Sequence, residues 1–382
     1  MKLLSITLLS ASISLFPGLF GPQSPQDKDN PTKSFSVKKG GTLVVDVEPG
    51  NIEINVWDKD EVFVEAQDID ERHPERLKMA QSGNTVRVEY RDNRRHTRDL
   101  LFSISVPPEF NCELKTSGGS IEERGKLKGG FTVSTKGGNV ELEEIVGNVN
   151  IQSNGGNITT TRIDGDGEIK TNGGNVTVKD ATGALRLQSG GGNIRVDQVG
   201  KDLNLTTGGG NVTLGDLKAE SEVRTGGGNL RVGKVQSKIK LTSGGGNVEV
   251  KGASDQVSVQ TGGGNVTLED MRGAVDLRTG GGDVRVELLP SGKGGSNLFS
   301  GGGDITLSIP ENAKATIDAR VRMKEGWGRS RKRIDIRSDY QAKTYQKDDE
   351  GEEITASYVL NGGGESISVE TSNGVIAIRK LR

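Results

Sequence analysis

The sequence predicts an all-β protein, a single-domain parallel β-solenoid, and three observations support this fold class. Glycine accounts for 57 of the 382 residues while aromatic residues make up only 4%, so large rings cannot fill the core. An asparagine returns every 18 residues through the middle of the chain. Between these asparagines, apolar and polar residues alternate with the period of two that is typical of β-strands.

The repeat consists of 18-residue units that follow one another without insertion or deletion. Identical columns at a fixed spacing indicate that each unit is one coil of a solenoid, in which like residues stack on like residues about 4.8 Å apart. Right-handed winding is favoured by the crossover rule for parallel strands. The repeating residues are Asn139, Asn157, Asn175, Asn193, Asn211, Asn229, Asn247 and Asn265, and Asp283 continues the series.

The apolar columns place two strands in every unit. With the asparagine as position 0, positions 1, 3, 6, 10 and 12 are apolar in all eight units except at Thr160, Gly167 and Ser221. Positions 2, 11 and 13 are polar throughout. The alternation predicts one strand near positions 0 to 4, a second near positions 9 to 14, and a bend that keeps position 6 inward.

The Gly-Gly-Gly-Asn segments are predicted to be turns. Position 14 is always Ser or Thr, positions 16 and 17 are always Gly, and position 15 is Gly except at Asn154 and Asn172. Since Asn tolerates positive φ best among non-glycine residues, we expect a left-handed conformation at position 15. A phosphate-binding loop is excluded because no helix and no Gly-Lys-Ser/Thr sequence follows. The asparagines and the position 14 hydroxyls are expected to form structural ladders along the turns, in which stacked amides bond to one another.

The amino terminus predicts export. Residues 1–23 read as a signal peptide, with one lysine before an apolar stretch, and residues 24–34 as a polar linker. The alternative is a retained membrane anchor, although Pro17 falls inside the stretch. After cleavage we expect a periplasmic, cell-surface or secreted protein without an integral membrane span.

The remaining chain divides into coils and charged insertions. We expect irregular coils with a charged insertion over residues 35–138, the regular repeat over 139–309, a second charged insertion over 310–356 and a closing coil over 357–382. About 13–15 coils are predicted in total.

Composition argues against several classes of function. The net charge of −2 excludes a broad basic surface for nucleic acid. Two histidines and one cysteine leave little material for a metal site or for histidine catalysis, so we predict no cofactor, no metal, no catalytic residue and no enzymatic activity. Asp180, Asp216 and Asp270 share position 5, but they lie two or three coils apart, about 10–14 Å, which is too far for a glycosidase pair. Cys112 is predicted to be a buried thiol.

The second insertion contains the candidate ligand or partner surface. Basic residues beside a tryptophan could hold an anionic glycan, a lipid headgroup or an acidic protein. The alternative is a solvated hairpin that caps the stack, with the acidic run at 347–353 neutralising the basic one. The residues of this surface are Trp327, Arg329, Arg331, Lys332, Arg333 and Arg337.

Four segments resemble the bacterial "putative adhesin" family of β-strand-repeat proteins, a domain of unknown function. They are FSVKKGGTLVVDVEPGNIEINVWDKDEVFVEA, FSISVPPEFNCELKTSGGSI, the repeated GGGNV and the closing TSNGVIAIRK. The resemblance covers nearly all of the chain after residue 34. It implies an exported or envelope-associated solenoid, and it brings no catalytic residues.

Three classes of function follow from these expectations. The first is an exported binding or scaffold protein that contacts an envelope polysaccharide or a surface protein. The second is a carbohydrate-active β-helix enzyme of the lyase or esterase type. The third is a self-assembling structural module or a component of envelope-stress signalling. The sequence leaves the oligomeric state open.

Overall fold

A computed structural model describes residues 30–70, 72–92, 100–323 and 334–381 of the chain. These residues form β-strands and one short 3-10 helix at Pro74–Arg76, and they contain no α-helix. The first ten strands are β1 Thr32–Ser36, β2 Gly41–Glu48, β3 Asn51–Val56, β4 Glu61–Gln67, β5 Leu77–Ser82, β6 Thr85–Arg91, β7 Leu101–Val106, β8 Phe110–Thr116, β9 Ile121–Lys128 and β10 Phe131–Thr135.

The regular repeat supplies most of the following strands. They are β11 Val140–Val146, β12 Val149–Ser153, β13 Ile158–Ile163, β14 Gly167–Thr171, β15 Val176–Ala181, β16 Leu185–Ser189, β17 Ile194–Val199, β18 Leu203–Thr207, β19 Val212–Leu217, β20 Ser221–Thr225, β21 Leu230–Val235, β22 Ile239–Ser243, β23 Val248–Ala253, β24 Val257–Thr261, β25 Val266–Met271, β26 Val275–Thr279 and β27 Val284–Leu288.

The last strands lie towards the carboxyl end of the chain, and β30 to β32 fall within residues 310–356. They are β28 Ser296–Ser300, β29 Ile305–Pro310, β30 Ala315–Arg322, β31 Asp335–Ser338, β32 Thr344–Lys347, β33 Glu353–Leu360, β34 Glu365–Ser372 and β35 Val375–Leu381.

The strands form two long sheets, and each coil contributes one parallel strand to each sheet. Sheet A runs β1–β4–β7–β3–β9 and then through the odd-numbered strands β11 to β29, followed by β35 and β31. Sheet B runs β5–β6–β2–β8 and then through the even-numbered strands β10 to β28, followed by β34, β30, β33 and β32. The predicted parallel β-solenoid is therefore confirmed, with fifteen coils among the described residues.

The register between coils puts like residues on like residues. Val140 pairs with Ile158, Ile158 with Val176, and the pattern continues along the stack. Positions 1, 3, 6, 10 and 12 point inward and form one continuous buried core. In β13, β15 and β17, positions 4 and 5 both face outward before position 6 turns inward, which is the predicted bend.

Two ladders of hydrogen bonds follow the glycine corner. Each asparagine accepts, at Oδ1, the backbone N–H of the residue at position 0 in the next coil; the bond from Asn193 N to Asn175 is 2.9 Å long. These bonds join side chain to main chain, and in the described ladder one amide also donates to another, from Asn229 Nδ2 to Asn211 Oδ1 at 3.1 Å. The buried hydroxyls at position 14 form the second ladder: Thr225 donates to Gly210 O and accepts from Gly228 N.

The prediction of a left-handed residue at position 15 is wrong. In the eight units, all of which the structure describes, no residue at this position has a positive φ. In the six units that carry glycine at this position, the reason is different, because successive coils approach closely. A Cβ added at Gly208 would lie 2.0 Å from the carbonyl oxygen of Gly190, one coil earlier. Position 17 is equally tight, since a Cβ at Gly228 would lie 2.1 Å from Gly210 O.

At the amino-terminal end, the order of the coils in space differs from their order in the chain. Strand β2 pairs with both β6 and β8, and β3 pairs with both β7 and β9. The coil of β2 and β3 therefore lies between two coils that follow it in sequence. Antiparallel strands then cover the end: β5 lies on β6, and β4 with β1 lies on β7.

The carboxyl-terminal end repeats this arrangement with the last coil of the chain. Strand β34 pairs with β28 and β30, and β35 pairs with β29 and β31. The coil of β34 and β35 is thus inserted between two coils that precede it. Antiparallel β33 and β32 cover the sheet B side. The periodic pattern did not predict this interleaving at either end.

Candidate functional site

Of the predicted ligand surface in the second insertion, only Arg337 lies within the described residues. It is exposed on β31 and forms an ion pair with Asp335, with Nε and Oδ2 2.9 Å apart. The other five residues, Trp327, Arg329, Arg331, Lys332 and Arg333, lie outside the described residues. The acidic run nearby does have partners in the stack, because Glu353 contacts Arg320 and Arg322 at 3.3 Å.

Two of the grooves on the described sides of the solenoid run along the stacking direction, one on each sheet. The first, the Asn groove, lies on sheet A and has a volume of about 340 Å³. It lies between the asparagine ladder and the side chains at position 2. Its polar lining residues are Asn175, Asn193, Asn211, Asn229, Thr177, Arg195, Thr213 and Arg231.

The asparagine ladder gives the Asn groove a fixed set of hydrogen-bond donors. Because each Oδ1 accepts a backbone N–H, the amide is oriented with its Nδ2 as the remaining polar group. The two arginines of this groove already have acidic neighbours. Arg195 contacts Asp197 at 2.8 Å, and Arg231 contacts Glu249 at 3.4 Å. The groove is therefore polar, but its positive charges are largely balanced.

The second groove, which we call the Asp groove, lies on sheet B and has a volume of about 560 Å³. It extends over five successive coils, from Gly130 to Asn204. Two rows of outward side chains, at positions 9 and 11, flank the inward column at position 10. The polar residues are Thr132, Asn148, Asn150, Asp166, Glu168, Arg186, Asp202 and Asn204.

A short side-chain ladder orients the row at position 9. Asn148 Oδ1 accepts the backbone N–H of Asp166 at 3.2 Å, and Asp166 Oδ1 accepts the N–H of Ala184 at 2.9 Å. Beside them, position 10 is occupied by Gly167, and Leu185 fills the inward space, since a Cβ at Gly167 would lie 2.8 Å from its Cδ1. The Asp groove thus combines fixed polar groups with strand backbone between them.

Sequence analysis missed the Asp groove because it considered the polar columns only at positions 2, 11 and 13. The signal was available in two places. Position 9 carries Asn148, Asp166 and Asp202, and position 10 is interrupted by Gly167 in the same part of the chain. The polar row at position 9, beside the polar row at position 11, indicates a polar surface on this side of the coils.

The clusters of titratable groups do not form a metal centre. Among the described residues, no group of three or more His, Cys, Asp or Glu side chains is arranged to hold a metal ion. His73 is partly exposed and contacts Glu75, with Nδ1 and Oε1 3.2 Å apart. His96 lies outside the described residues. The geometry of both grooves is therefore suited to binding through hydrogen bonds and charge.

The core contains two titratable side chains near the start of the regular repeat. Cys112 is buried as predicted, and desolvation raises the pKa of its thiol, so it remains protonated. Glu123 is only 1% exposed and occupies the inward column that Leu142 occupies one coil later. Burial raises the pKa of Glu123 to about 7, against the stabilising N–H that Glu143 donates to its Oε2 at 3.0 Å.

The stacked coils, the two ladders and the lateral grooves place this protein in the class of parallel β-solenoid repeat proteins. A family model described as Toastrack DUF4097, a domain of unknown function, matches the chain at residues 41–232 and again at 184–379. The chain belongs to this family. The resemblance inferred from the sequence is thereby confirmed. No curated protein matches the chain significantly.

Several solved structures match this chain over most of its length at low sequence identity. A "putative adhesin" from Bacteroides fragilis is 11% identical with a TM-score of 0.23, and the match covers 93% of this chain and 98% of that one. A "putative cell adhesion protein" from Clostridium sporogenes is 10% identical with a TM-score of 0.16, covering 92% and 100%. A "putative lipid binding protein" from Parabacteroides distasonis is 12% identical with a TM-score of 0.20, covering 93% and 98%.

Within the part of the chain that the structure describes, no helix has the length and apolar character needed to cross a bilayer.

Proposed function

We propose that this protein is an exported, non-enzymatic binding scaffold that contacts polymers or proteins of the bacterial cell envelope along the sides of its solenoid. The observation that carries this proposal is the pair of polar grooves on opposite sheets. Both run along the stacking direction and present polar side chains from equivalent positions of successive coils.

The stacked coils favour binding to an extended partner. Coils follow one another at about 4.8 Å, so fifteen of them span about 70 Å. Along this length, contacts that are individually weak act together and raise the overall affinity, provided that the partner is long enough to reach several of them. The backbone-anchored side chains of both ladders reduce the entropy that binding must remove.

The basic segment around Trp327 remains a second proposed contact surface. Its support is the sequence alone, which places Arg329, Arg331, Lys332 and Arg333 within a few residues of the tryptophan. Such a cluster favours anionic envelope polymers or acidic proteins.

Export and envelope binding can be tested together. The full chain is expressed in a bacterial host, recovered from the periplasm or medium, and incubated with isolated envelope fractions. Co-sedimentation and the release of new sugar ends are both measured. We expect co-sedimentation without release. Retention of the chain in the cytoplasm would contradict export, absence of co-sedimentation would contradict envelope binding, and release of sugar ends would favour a carbohydrate-active enzyme.

A variant separates the two contact surfaces. Arg329→Glu, Arg331→Glu and Arg333→Glu together reverse the charge of the basic segment while leaving both grooves intact. If the segment contributes, co-sedimentation decreases in this variant. If co-sedimentation is unchanged, binding depends on the sides of the solenoid.

A further inference from the structure

The Asp groove on sheet B has features that the Asn groove lacks, and they define a ligand class. We propose that the Asp groove binds a linear, β-linked glycan that carries free amino groups, laid along the stacking direction with one sugar unit per coil. This inference rests on the proposed binding function and adds the site and the chemistry of the partner.

The shape of the groove fits an extended polymer. The rows at positions 9 and 11 form two parallel ridges, and the strand backbone at position 10 forms the floor between them. Because the side chains at position 10 point inward, the outer surface between the two ridges is strand backbone flanked by polar side chains. A pyranose ring presents apolar C–H groups on its face and hydroxyl groups around its edge, which matches such a floor and such ridges.

The spacing of the coils distinguishes a glycan from a peptide. Equivalent positions in the groove recur about every 4.8 Å, which is close to the length of one sugar unit in an extended β-linked chain. An extended peptide presents side chains on one face about every 6.6–6.8 Å, so it would lose register with the coils by about 2 Å at every step. The glycan therefore stays in register with the coils, whereas an extended peptide does not.

The charge of the groove selects an amino sugar. Three carboxylates, Asp166, Glu168 and Asp202, line it together with one guanidinium, Arg186. Glu168 is engaged by Lys170 at 2.5 Å, whereas no ion pair to Asp166 or Asp202 is present among the described residues. These two aspartates therefore supply uncompensated negative charge, which attracts ammonium groups and repels uronic acids.

The two aspartates are also correctly spaced for this partner. They occupy the same position 9 two coils apart, at about 9.6 Å. In a β-1,4-linked chain successive rings are turned over, so the substituents on one side recur at every second sugar. Amino groups on one edge of the glycan would thus meet Asp166 and Asp202 in turn.

The test uses a labelled β-1,4-linked glucosamine hexamer as the probe and the full exported chain as the protein. Fluorescence polarisation measures binding of this probe, of the N-acetylated hexamer and of a galacturonate hexamer. We expect the glucosamine hexamer to bind most tightly and the galacturonate hexamer not to bind. Equal binding of the glucosamine and N-acetylated hexamers, or tighter binding of galacturonate, would overturn the charge argument.

The variants locate the site. Asp166→Asn with Asp202→Asn removes two negative charges and keeps the side-chain oxygen that accepts Ala184 N–H, as Asn148 does one coil earlier. We expect this double variant to bind about tenfold more weakly. Asp216→Asn is the matched control, because Asp216 accepts Lys234 N–H in the same manner on sheet A. Equal weakening in the control, or none in the double variant, places the site elsewhere.

Two further outcomes separate this inference from the proposed function. If the wild-type chain sediments with envelope fractions but does not bind the glucosamine hexamer, the ligand class is wrong while the scaffold function stands. If it does neither, both are wrong. A lysine-rich extended peptide that binds as tightly, and with the same dependence on Asp166 and Asp202, would overturn the spacing argument.

Discussion

In the middle of the stack, each coil lies directly on the coil that precedes it in the chain, whereas at both ends one coil lies between two others that are distant in sequence. From β11 to β27 every strand pairs with the strand of the preceding and following repeat. At the ends, β2 with β3 and β34 with β35 are inserted between coils. The middle is therefore assembled from local contacts, and the ends from long-range ones.

This difference separates two sources of stability. In a stack of repeats, stability is approximately a sum over coils and over the contacts between neighbours. A regular coil can be removed without leaving an unpaired neighbour, because the flanking coils are equivalent. An inserted end coil cannot, because its removal leaves two strands in each sheet facing an empty position.

Deletion of whole coils gives the largest expected effect. Removal of residues 211–228 brings Gly210 next to Asn229 and restores the repeat, so we expect a folded chain with a slightly lower denaturation midpoint. Removal of residues 365–381 separates β28 from β30, and we expect loss of cooperative unfolding. Circular dichroism and denaturant titration measure both. Equal stability of the two deletions would show that the ends do not depend on insertion.

Two adjacent glycines test the close approach of coils within the middle. In Gly228→Ala the new methyl group would lie 2.1 Å from Gly210 O, and we expect a loss of about 3 kcal/mol in the free energy of unfolding. Gly227→Ala is the control, because nothing lies within 4 Å of its Cβ, and we expect a change within about 0.5 kcal/mol. Chemical denaturation distinguishes them. Similar losses in both variants would mean that backbone freedom, not inter-coil distance, requires glycine.

Glu123 lies where the amino-terminal coils meet the regular middle of the stack, and it makes the stability of the fold depend on pH. Its folded pKa of about 7 exceeds its ordinary value of 4.5, because burial is reinforced by the negative charges of Glu143 and Glu144. The folded state therefore binds the proton more tightly, so stability falls as pH rises from about 4.5 to about 7. The neighbouring thiol of Cys112 stays protonated in this range.

The Glu123→Gln variant isolates this contribution. We expect the wild type to lose roughly 3 kcal/mol relative to the variant between pH 4.5 and 7, a difference that then levels off. Denaturant titrations across this pH range, made in parallel on both proteins, measure the difference. Parallel pH profiles would show that the carboxyl group does not change its protonation within the core.

The sequence was sufficient to predict the middle of the fold and insufficient for the ends. Identical columns from Asn139 to Asn265 determine which residues stack, because each coil has only one neighbour that satisfies every column. At the amino-terminal end, Ser120 N–H donates to Asn51 Oδ1 at 2.8 Å. This contact joins two residues that are 69 positions apart in the chain. No periodic signal records such a contact.

The candidate sites were predicted less well than the fold, for a physical reason. The turn asparagines were identified, and they do form a ladder, but the ladder is made with backbone N–H groups instead of amide pairs. The Asp groove depends on Asp166 and Asp202, which lie in one row two coils apart. The 18-residue register predicts this row, but the shape of the groove between positions 9 and 11 follows only from the folded backbone. The basic segment near Trp327 stays a prediction.

The interleaved ends have a consequence for how this architecture can change in length. Among the described strands, antiparallel strands cover the amino-terminal end on both sheets and the carboxyl-terminal end on sheet B, and only β31 of sheet A has no such cover. An added repeat is accommodated most simply between existing regular coils. Each inserted 18-residue unit would move the two ends about 4.8 Å further apart without altering either of them. The number of regular repeats thus sets the distance between the two interleaved ends.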